Sequence, residues 1–366
     1  MKLPNLPKKE LFMWRSRLSA AAVGAAASAS WIQTDDTRCS FVDSLFGAPP
    51  KSLASRVLAP GSVAVITGAS TGIGRAMARK CASLKMKVVM ADIDEVELAE
   101  AAREVAALAA SPTDVSAVAT DVSDPAAVER LRDSTFAKHS RCNLLMNNAG
   151  VGSGGGALAP RAAWEKTLAV NAWGPIHGCQ AFVPLMRASG APGLVVNTGS
   201  KQGITAPPGN LAYNVSKAAL KTFTEGLEHE LRQGDAAKGS GGGARTLAAA
   251  LLVPGWVNTS ILLKSKRAEA EATGAAFDAD EVFFHEAKPA KGAWMPDQVV
   301  DFLLQELEAG RFYVICPDNE VDRSTDNLRM TWAMQDITCD RPPLSRWHPE
   351  HKEKFAAFVA ASKRRG

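Results

Sequence analysis

The segment from Ser62 to Leu84 constrains the fold most. Ser62-Val63-Ala64-Val65-Ile66 is a short, β-branched, apolar run of the kind needed by a strand buried on both faces of a parallel sheet. Thr67-Gly68-Ala69-Ser70-Thr71-Gly72-Ile73-Gly74 follows as a turn. Ile73, Met77, Cys81 and Leu84 then recur at three- and four-residue spacing, which predicts a helix with one face packed on the sheet. Glycines at such a turn let the backbone approach an anion such as a pyrophosphate, held by N–H groups and the positive helix end. The spacing Gly-x-x-x-Gly-x-Gly differs from the commoner Gly-x-Gly-x-x-Gly, and a glycine turn serving structure alone is the alternative reading.

The next strand, Lys87-Val88-Val89-Met90-Ala91, ends at Asp92, where a Rossmann-type unit places an acid for the adenosine ribose hydroxyls. A carboxylate there repels a 2′-phosphate, and Thr71 gives the glycine loop no basic side chain to pair with one. Both features favour NAD over NADP. Further strand-like runs at 116–120, 143–146, 194–198, 247–253 and 312–316 alternate with helical patterns. Together they predict an α/β fold, a Rossmann-type doubly wound parallel sheet of about seven strands with helices on both faces and its ligand at the strand carboxyl ends.

Far downstream, Tyr213 and Lys217 are four residues apart, so on a helix the phenol and the ammonium lie on one face and can address one ligand. A tyrosine of ordinary pKa near ~10 is a poor base at neutral pH. Bringing it to ~7 requires roughly 4 kcal/mol of differential stabilisation of the phenolate, which a fixed cation can supply. An ordinary helix with a surface lysine is the alternative.

Taken in order, these motifs resemble the short-chain dehydrogenase/reductase family, in its one-domain branch, over about Pro60 to Pro317. Thr67–Gly74 is similar to the family's cofactor loop, which implies cofactor contacts for Gly68, Ser70, Thr71, Gly72, Ile73 and Gly74. Asp92, the adenine-contacting pair Asp121-Val122, and Asn148, Ala149 and Gly150 beside Asn147 extend that set. Pro254, Gly255, Val257 and Thr259 belong to the turn whose following residues contact the nicotinamide carboxamide. The resemblance implies a catalytic set of Asn171, Ser200, Tyr213 and Lys217. Tyr213 would exchange the substrate hydroxyl proton, and Ser200 would position the oxygen. Lys217 would hold the nicotinamide ribose and lower the Tyr213 pKa, while Asn171 would anchor a relay water. Read singly, Ser200 is also a strand-end hydroxyl, Asn171 a helix-bending polar group and Asn147 a turn former. The implied activity is NAD-dependent oxidation of a secondary alcohol or reduction of its ketone. A non-catalytic dinucleotide-binding scaffold or redox sensor is the alternative. A sugar epimerase or dehydratase shares Tyr-x-x-x-Lys, but the Gly68–Gly74 spacing disfavours it.

The 366-residue chain exceeds one such domain, and the surplus sits at its ends. Residues 1–50 read as a targeting or disordered segment, 51–317 as the catalytic domain and 318–366 as an extension. Lys2, Lys8, Lys9, Arg15 and Arg17 against Glu10 give the first 34 residues a net +4, equal to the whole chain's excess. The remainder is neutral, which removes the electrostatic case for nucleic acid or a membrane surface as partner. Leu18–Ile32, rich in alanine and serine, resembles an organelle transit peptide, for a plastid or mitochondrion. A secretory signal, or an unaddressed tail on a cytoplasmic protein, is the alternative. A stable membrane span is the least favoured reading.

Six scattered cysteines, without a Cys-x-x-Cys pair, read as small buried apolar residues, and no metal site is assigned, His348-Pro349-Glu350-His351 included. Between Trp256 and Met295 the expected substrate lid carries Trp256, Ile261, Leu262, Leu263, Phe277, Phe283, Phe284 and Trp294. These suit a pocket for an apolar alcohol or ketone, or simply bury lid helices against the core. The Gly-Ser-rich stretch at 234–243 reads as a surface loop. Trp332, Trp347, Phe355 and Phe358 in the extension predict that it packs over the site mouth or across a subunit boundary. The resemblance also implies a homodimer or homotetramer through helices near 163–189 and 211–232.

Overall fold

The apolar runs of the sequence form strands within one residue of their expected limits. A computed structural model describes residues 53–152, 155–237, 245–278 and 290–363. The Gly-Ser stretch from 238, Phe283, Phe284 and the N-terminal segment lie outside them. Residues 48–352 make one compact unit, and 353–366 group with 1–47 in another. Only 353–363 of that second unit are described, as the end of a helix over Pro349–Lys363.

Strands β1 (Val63–Thr67), β2 (Lys87–Asp92), β3 (Val115–Ala119), β4 (Leu144–Asn147), β5 (Gly193–Thr198), β6 (Leu247–Val253) and β7 (Tyr313–Ile315) form one parallel sheet. Their order is β3-β2-β1-β4-β5-β6-β7. Successive side chains of a strand point to opposite faces. Ala64 and Ile66 join Val88, Met90, Met146 and Val196 under the helices of one face. Val65 joins Val89, Leu145 and Val195 on the other. The first face is covered by α1 (Leu53–Val57), α2 (Gly72–Ser83) and α3 (Glu95–Ala106), and by the later helix Pro296–Glu308. Ile73, Met77 and Cys81 of α2 are buried as the spacing predicts, and Leu84 packs at its end.

The second face carries α4 (Pro125–His139), α5 (Arg161–Leu168), α6 (Gly174–Ser189) and, after α7 (Gln202–Thr205), the long α8 (Leu211–Ala237). Fully buried Phe182 and Leu131 fill that core. In the helical region expected near 163–189, Ala169–Trp173 winds as a π-helix between α5 and α6. Such wide turns re-aim side chains and recur at functional sites. Helix α9 (Ile261–Thr273) and α10 (Pro296–Glu308) follow β6, and α11 (Arg323–Thr338) follows β7.

Cys81, Cys142, Cys179 and Cys316 are buried, as expected, whereas Cys339, beyond the last turn of α11, is exposed. In the extension, Trp332 is buried and its indole N–H donates to Ser345, while Trp347 is partly exposed. No helix among the described residues is long and apolar enough to cross a membrane. Among the same residues, no group of three or more His, Cys, Asp or Glu could hold a metal ion.

Candidate active site

The sheet order reverses between β1 and β4, and parallel sheets place ligands at the strand carboxyl ends beside such a point. The glycine loop leaves β1 there. Gly68 and Gly72 adopt φ of +63° and +56°, in the left-handed region that favours glycine. A Cβ on Gly74 would lie 2.1 Å from the Gly68 carbonyl oxygen. Thr71, at the N-cap of α2, makes no capping bond with its side chain. Instead it accepts from the Ser260 hydroxyl at 3.0 Å. Gly72 meets Thr259 from the same segment, since a Cβ there would lie 3.0 Å from the Thr259 methyl. Closely packed glycine backbone at a helix N-terminus fits a pyrophosphate, the test such a cofactor must pass here.

Asp92 ends β2 with its carboxylate turned to that loop, accepting from the Ser70 N–H at 3.0 Å and hydroxyl at 2.7 Å. One strand over, Asp121 accepts from the N–H and hydroxyl of Ser123 at 2.9 and 2.7 Å. The Val122 carbonyl accepts from His177 Nδ1 at 3.0 Å. After β4, Thr67 Oγ1 accepts from the N–H groups of Asn148 and Ala149, at 3.0 and 3.1 Å. The Asn148 amide donates to the carbonyls of Thr67 and Gly68, both at 3.2 Å. Asn147 is buried and donates to Asn197 at 2.8 Å, tying β4 to β5.

The four expected catalytic residues converge beyond β4 and β5. Asn171, fully buried in the π stretch, accepts from the Val151 N–H at 2.8 Å and donates to the Val151 carbonyl at 3.0 Å. It also donates to Ser216 Oγ at 3.2 Å. Gly150 lies between Asn171 and Lys217, so that a Cβ on it would be 3.2 Å from Asn171 Oδ1 and 3.7 Å from Lys217 Nζ. Lys217 Nζ donates to the Thr198 carbonyl at 2.8 Å and lies 5.6 Å from the Tyr213 ring centre. Ser200 Oγ accepts from the Gln202 N–H at 3.1 Å.

Burial pushes the Tyr213 phenol above its ordinary value, with Ser200 drawing it back. Burial also brings the Lys217 ammonium down to about 8. The expected lowering of the tyrosine by Lys217 is not among the causes acting on the phenol here, which are desolvation and Ser200, while the Lys217 ammonium donates to Thr198. Val257 forms a parallel bridge with Trp294, which fixes the segment after the Pro254–Gly255 turn.

Three further contacts escaped sequence reasoning, since no motif announces them. Ser265 Oγ of α9 accepts from the Gly152 N–H at 3.2 Å. Lys264, one residue before it, pairs with Glu97 in the first turn of α3. Lys201, directly after Ser200, is partly buried and pairs with two carboxylates. Of the expected lid residues, Trp294 packs on the core while Trp256 is 55% exposed. The lid therefore divides between packing and an apolar surface.

Comparison with known proteins agrees with this geometry. A family model described as short chain dehydrogenase matches residues 62–267. The chain is 32% identical over 277 residues to 1-deoxy-11-beta-hydroxypentalenate dehydrogenase of Streptomyces avermitilis, covering 74% of this chain and 90% of that protein. It is 37% identical over 172 residues to an oxidoreductase of Mycobacterium tuberculosis named SadH, over 47% of this chain and 61% of that protein's length. A crystal structure of a short-chain dehydrogenase/reductase from Burkholderia phymatum in complex with NAD superposes with a TM-score of 0.65. It is 32% identical, with 78% of this chain and 96% of that one covered. A metagenomic short-chain oxidoreductase in complex with NADP gives a TM-score of 0.52 at 28% identity, over 71% of this chain and 98% of its own. The chain belongs to the short-chain dehydrogenase family. It is an oxidoreductase of that type.

Proposed function

We propose that the protein transfers a hydride between NAD(H) and a secondary alcohol or its ketone, with Tyr213 as general acid and base. The observation that carries this reading is the convergence of Ser200, Tyr213 and buried Lys217, whose Nζ lies 5.6 Å from the Tyr213 ring centre, at the strand ends that also bear the glycine loop. Gly68–Gly74, Asp121-Val122, Asn148–Gly150 and the turn from Pro254 to Thr259 would hold the dinucleotide. When bound, the dinucleotide supplies the hydride acceptor or donor. In the oxidative direction the alcohol O–H bond breaks as the carbinol C–H bond does, and Tyr213 Oη takes the proton. In reduction it returns that proton to the carbonyl oxygen. Ser200 holds the oxygen in either direction. Lys217 keeps a positive charge below the phenol, and Asn171 fixes Val151 and anchors the relay to solvent. The turn of Asp92 toward Ser70 supports NAD, since a 2′-phosphate would meet a carboxylate. Trp256 and Leu262, both exposed, support an apolar substrate. Assembly as a homodimer or homotetramer through α6 and α8, and delivery to an organelle by residues 1–50, are part of the same proposal.

Tyr213→Phe tests it. Turnover should fall by about 10²–10⁴-fold, the usual contribution of a positioned acid or base. NADH should raise the unfolding midpoint of the variant as it does that of the native protein. Undiminished turnover would overturn the mechanism.

A further inference from the structure

The extension after β7 contacts the loops that follow β5 and β6. Lys201 follows Ser200 directly, yet its side chain is only 16% exposed and turns away from solvent toward α11. Its ammonium lies 2.6 Å from Asp326 and 3.3 Å from Asp318, whose side chains are each 6% exposed. Neither carboxylate belongs to the segment carrying the catalytic motifs: Asp318 lies just after β7 and Asp326 in the first turn of α11. Burial pushes the Asp326 carboxyl up and Lys201 draws it back, so the charge on that group depends on the lysine.

Two catalytic segments rest on this cluster. A Cβ on Gly255 would lie 2.6 Å from Asp318 Oδ2 and 2.9 Å from Lys201 Nζ, so the Pro254–Gly255 turn is seated directly on the ion pair. Helix α7, which continues from Ser200 and Lys201, is wedged between α8 and α11. A Cβ on Gly203 would lie 2.6 Å from the Lys217 carbonyl carbon, and Ile204 and Met330 of α11 both pack against the cluster of Leu251, Val253 and Ile315. The extension grips the return of the lid as well. The Asn319 N–H donates to the Gly292 carbonyl at 3.1 Å, and its side chain to the Ala293 carbonyl at 3.0 Å. The adjacent Trp294 N–H donates to the Trp256 carbonyl at 2.9 Å. Asp318 is itself held, accepting from the N–H groups of Glu320 and Val321 at 3.0 and 2.8 Å.

We infer that Lys201, Asp318 and Asp326 are positioning residues, through which the extension sets the Ser200 loop and the turn expected to contact the nicotinamide. The inference rests on the proposed cofactor site and adds a part to it. Removing one partner of a buried ion pair leaves the other charged and desolvated, so the brace should loosen locally rather than weaken by degrees.

The experiment compares NADH with ADP-ribose, which lacks the nicotinamide, on the full chain and on Lys201→Met, Asp326→Asn and Lys201→Arg. In Lys201→Met and Asp326→Asn, NADH affinity should fall about tenfold while ADP-ribose affinity stays within twofold, which also reports that the variants are folded. Lys201→Arg, which keeps the charge, should retain most of the NADH affinity. Equal losses for both ligands, or no loss for either, would overturn the inference. If the native chain binds neither ligand, the proposed cofactor site itself is wrong, and the brace falls with it.

Discussion

Gly74→Ala puts the glycine loop to its most direct test. The added methyl would lie 2.1 Å from the Gly68 carbonyl oxygen and 2.7 Å from the Asn148 amide nitrogen. An ordinary carbon–oxygen contact is about 3.3 Å or more, so the loop must open by roughly 1 Å. Gly68 cannot retreat, because its own Cβ position is already 2.7 Å from Ala149 Cα and its φ is +63°. The Asn148 amide must yield instead, giving up its two 3.2 Å bonds to Thr67 and Gly68. Overpacking strain of about 1–3 kcal/mol and two bonds at about 1 kcal/mol each amount to roughly 3–5 kcal/mol. The expected results are an unfolding midpoint lower by about 6–15 °C and NADH affinity weakened at least tenfold. Gly226→Ala is the matched control, since nothing lies within 4 Å of its Cβ position on exposed helix surface; it should be neutral or stabilising by up to ~1 kcal/mol. Calorimetry and NADH fluorescence titration read both quantities. A midpoint within 2 °C of native, roughly 0.7–1 kcal/mol, together with unchanged NADH affinity would show that the loop does not need this close approach.

Glu228→Ala should cost about 3–5 kcal/mol in denaturant unfolding, because it takes from Arg245 the carboxylate bonded to it at 2.6 and 2.7 Å and from the Ala249 N–H of β6 its acceptor; a loss below 1 kcal/mol would refute the role of that pair. Lys217, brought down to about 8 by burial, penalises the folded state fully below pH 8, and the penalty fades as pH rises toward the ordinary lysine value near ~10.4. This group should therefore add about 1 kcal/mol of stability between pH 7 and 9. Lys217→Met should lack that gain, and identical pH curves for the two proteins would contradict the assignment. Lys264→Ala removes a half-exposed pair with Glu97 and should shift the midpoint by under 2 °C, as exposed pairs do. Stopped-flow release of NADH should nonetheless quicken at least twofold, since Lys264 and Ser265 tie α9 to α3 and to Gly152; an unchanged release rate would argue against that tether.

What was legible in the sequence was what repeats a physical requirement along the chain. Strands buried on both faces must be apolar throughout, so Val63–Ile66 and Leu247–Val253 declared themselves. Glycines with positive φ, and the i,i+4 pair Tyr213 and Lys217, were equally readable because their constraint is local. Asn171 was located by motif, but the π winding that buries its amide against Val151 depends on how α5 and α6 meet. The environment of the Tyr213 phenol is a related case: desolvation by surrounding elements raises it, which spacing does not encode. Lys201 was the least legible. A lysine after a serine ordinarily reads as solvent-facing, and only the tertiary approach of Asp318 and Asp326, more than a hundred positions away, makes it a buried ion.

The pairing of β1 with β4 also bears on how the enzyme is made. Ala64, Val65 and Ile66 align with Leu144, Leu145 and Met146, each 80 positions further along the chain. β1 meets β2, by contrast, across only 24 positions. Closing the longer loop costs entropy before any contact within it is gained, and non-local parallel pairing of this kind slows folding. Thr67, whose hydroxyl receives the N–H groups of Asn148 and Ala149, sits at the end of that slow pair. A nascent chain can therefore shape its glycine turn early, but the groove it faces comes into being only with the long-range closure of the sheet.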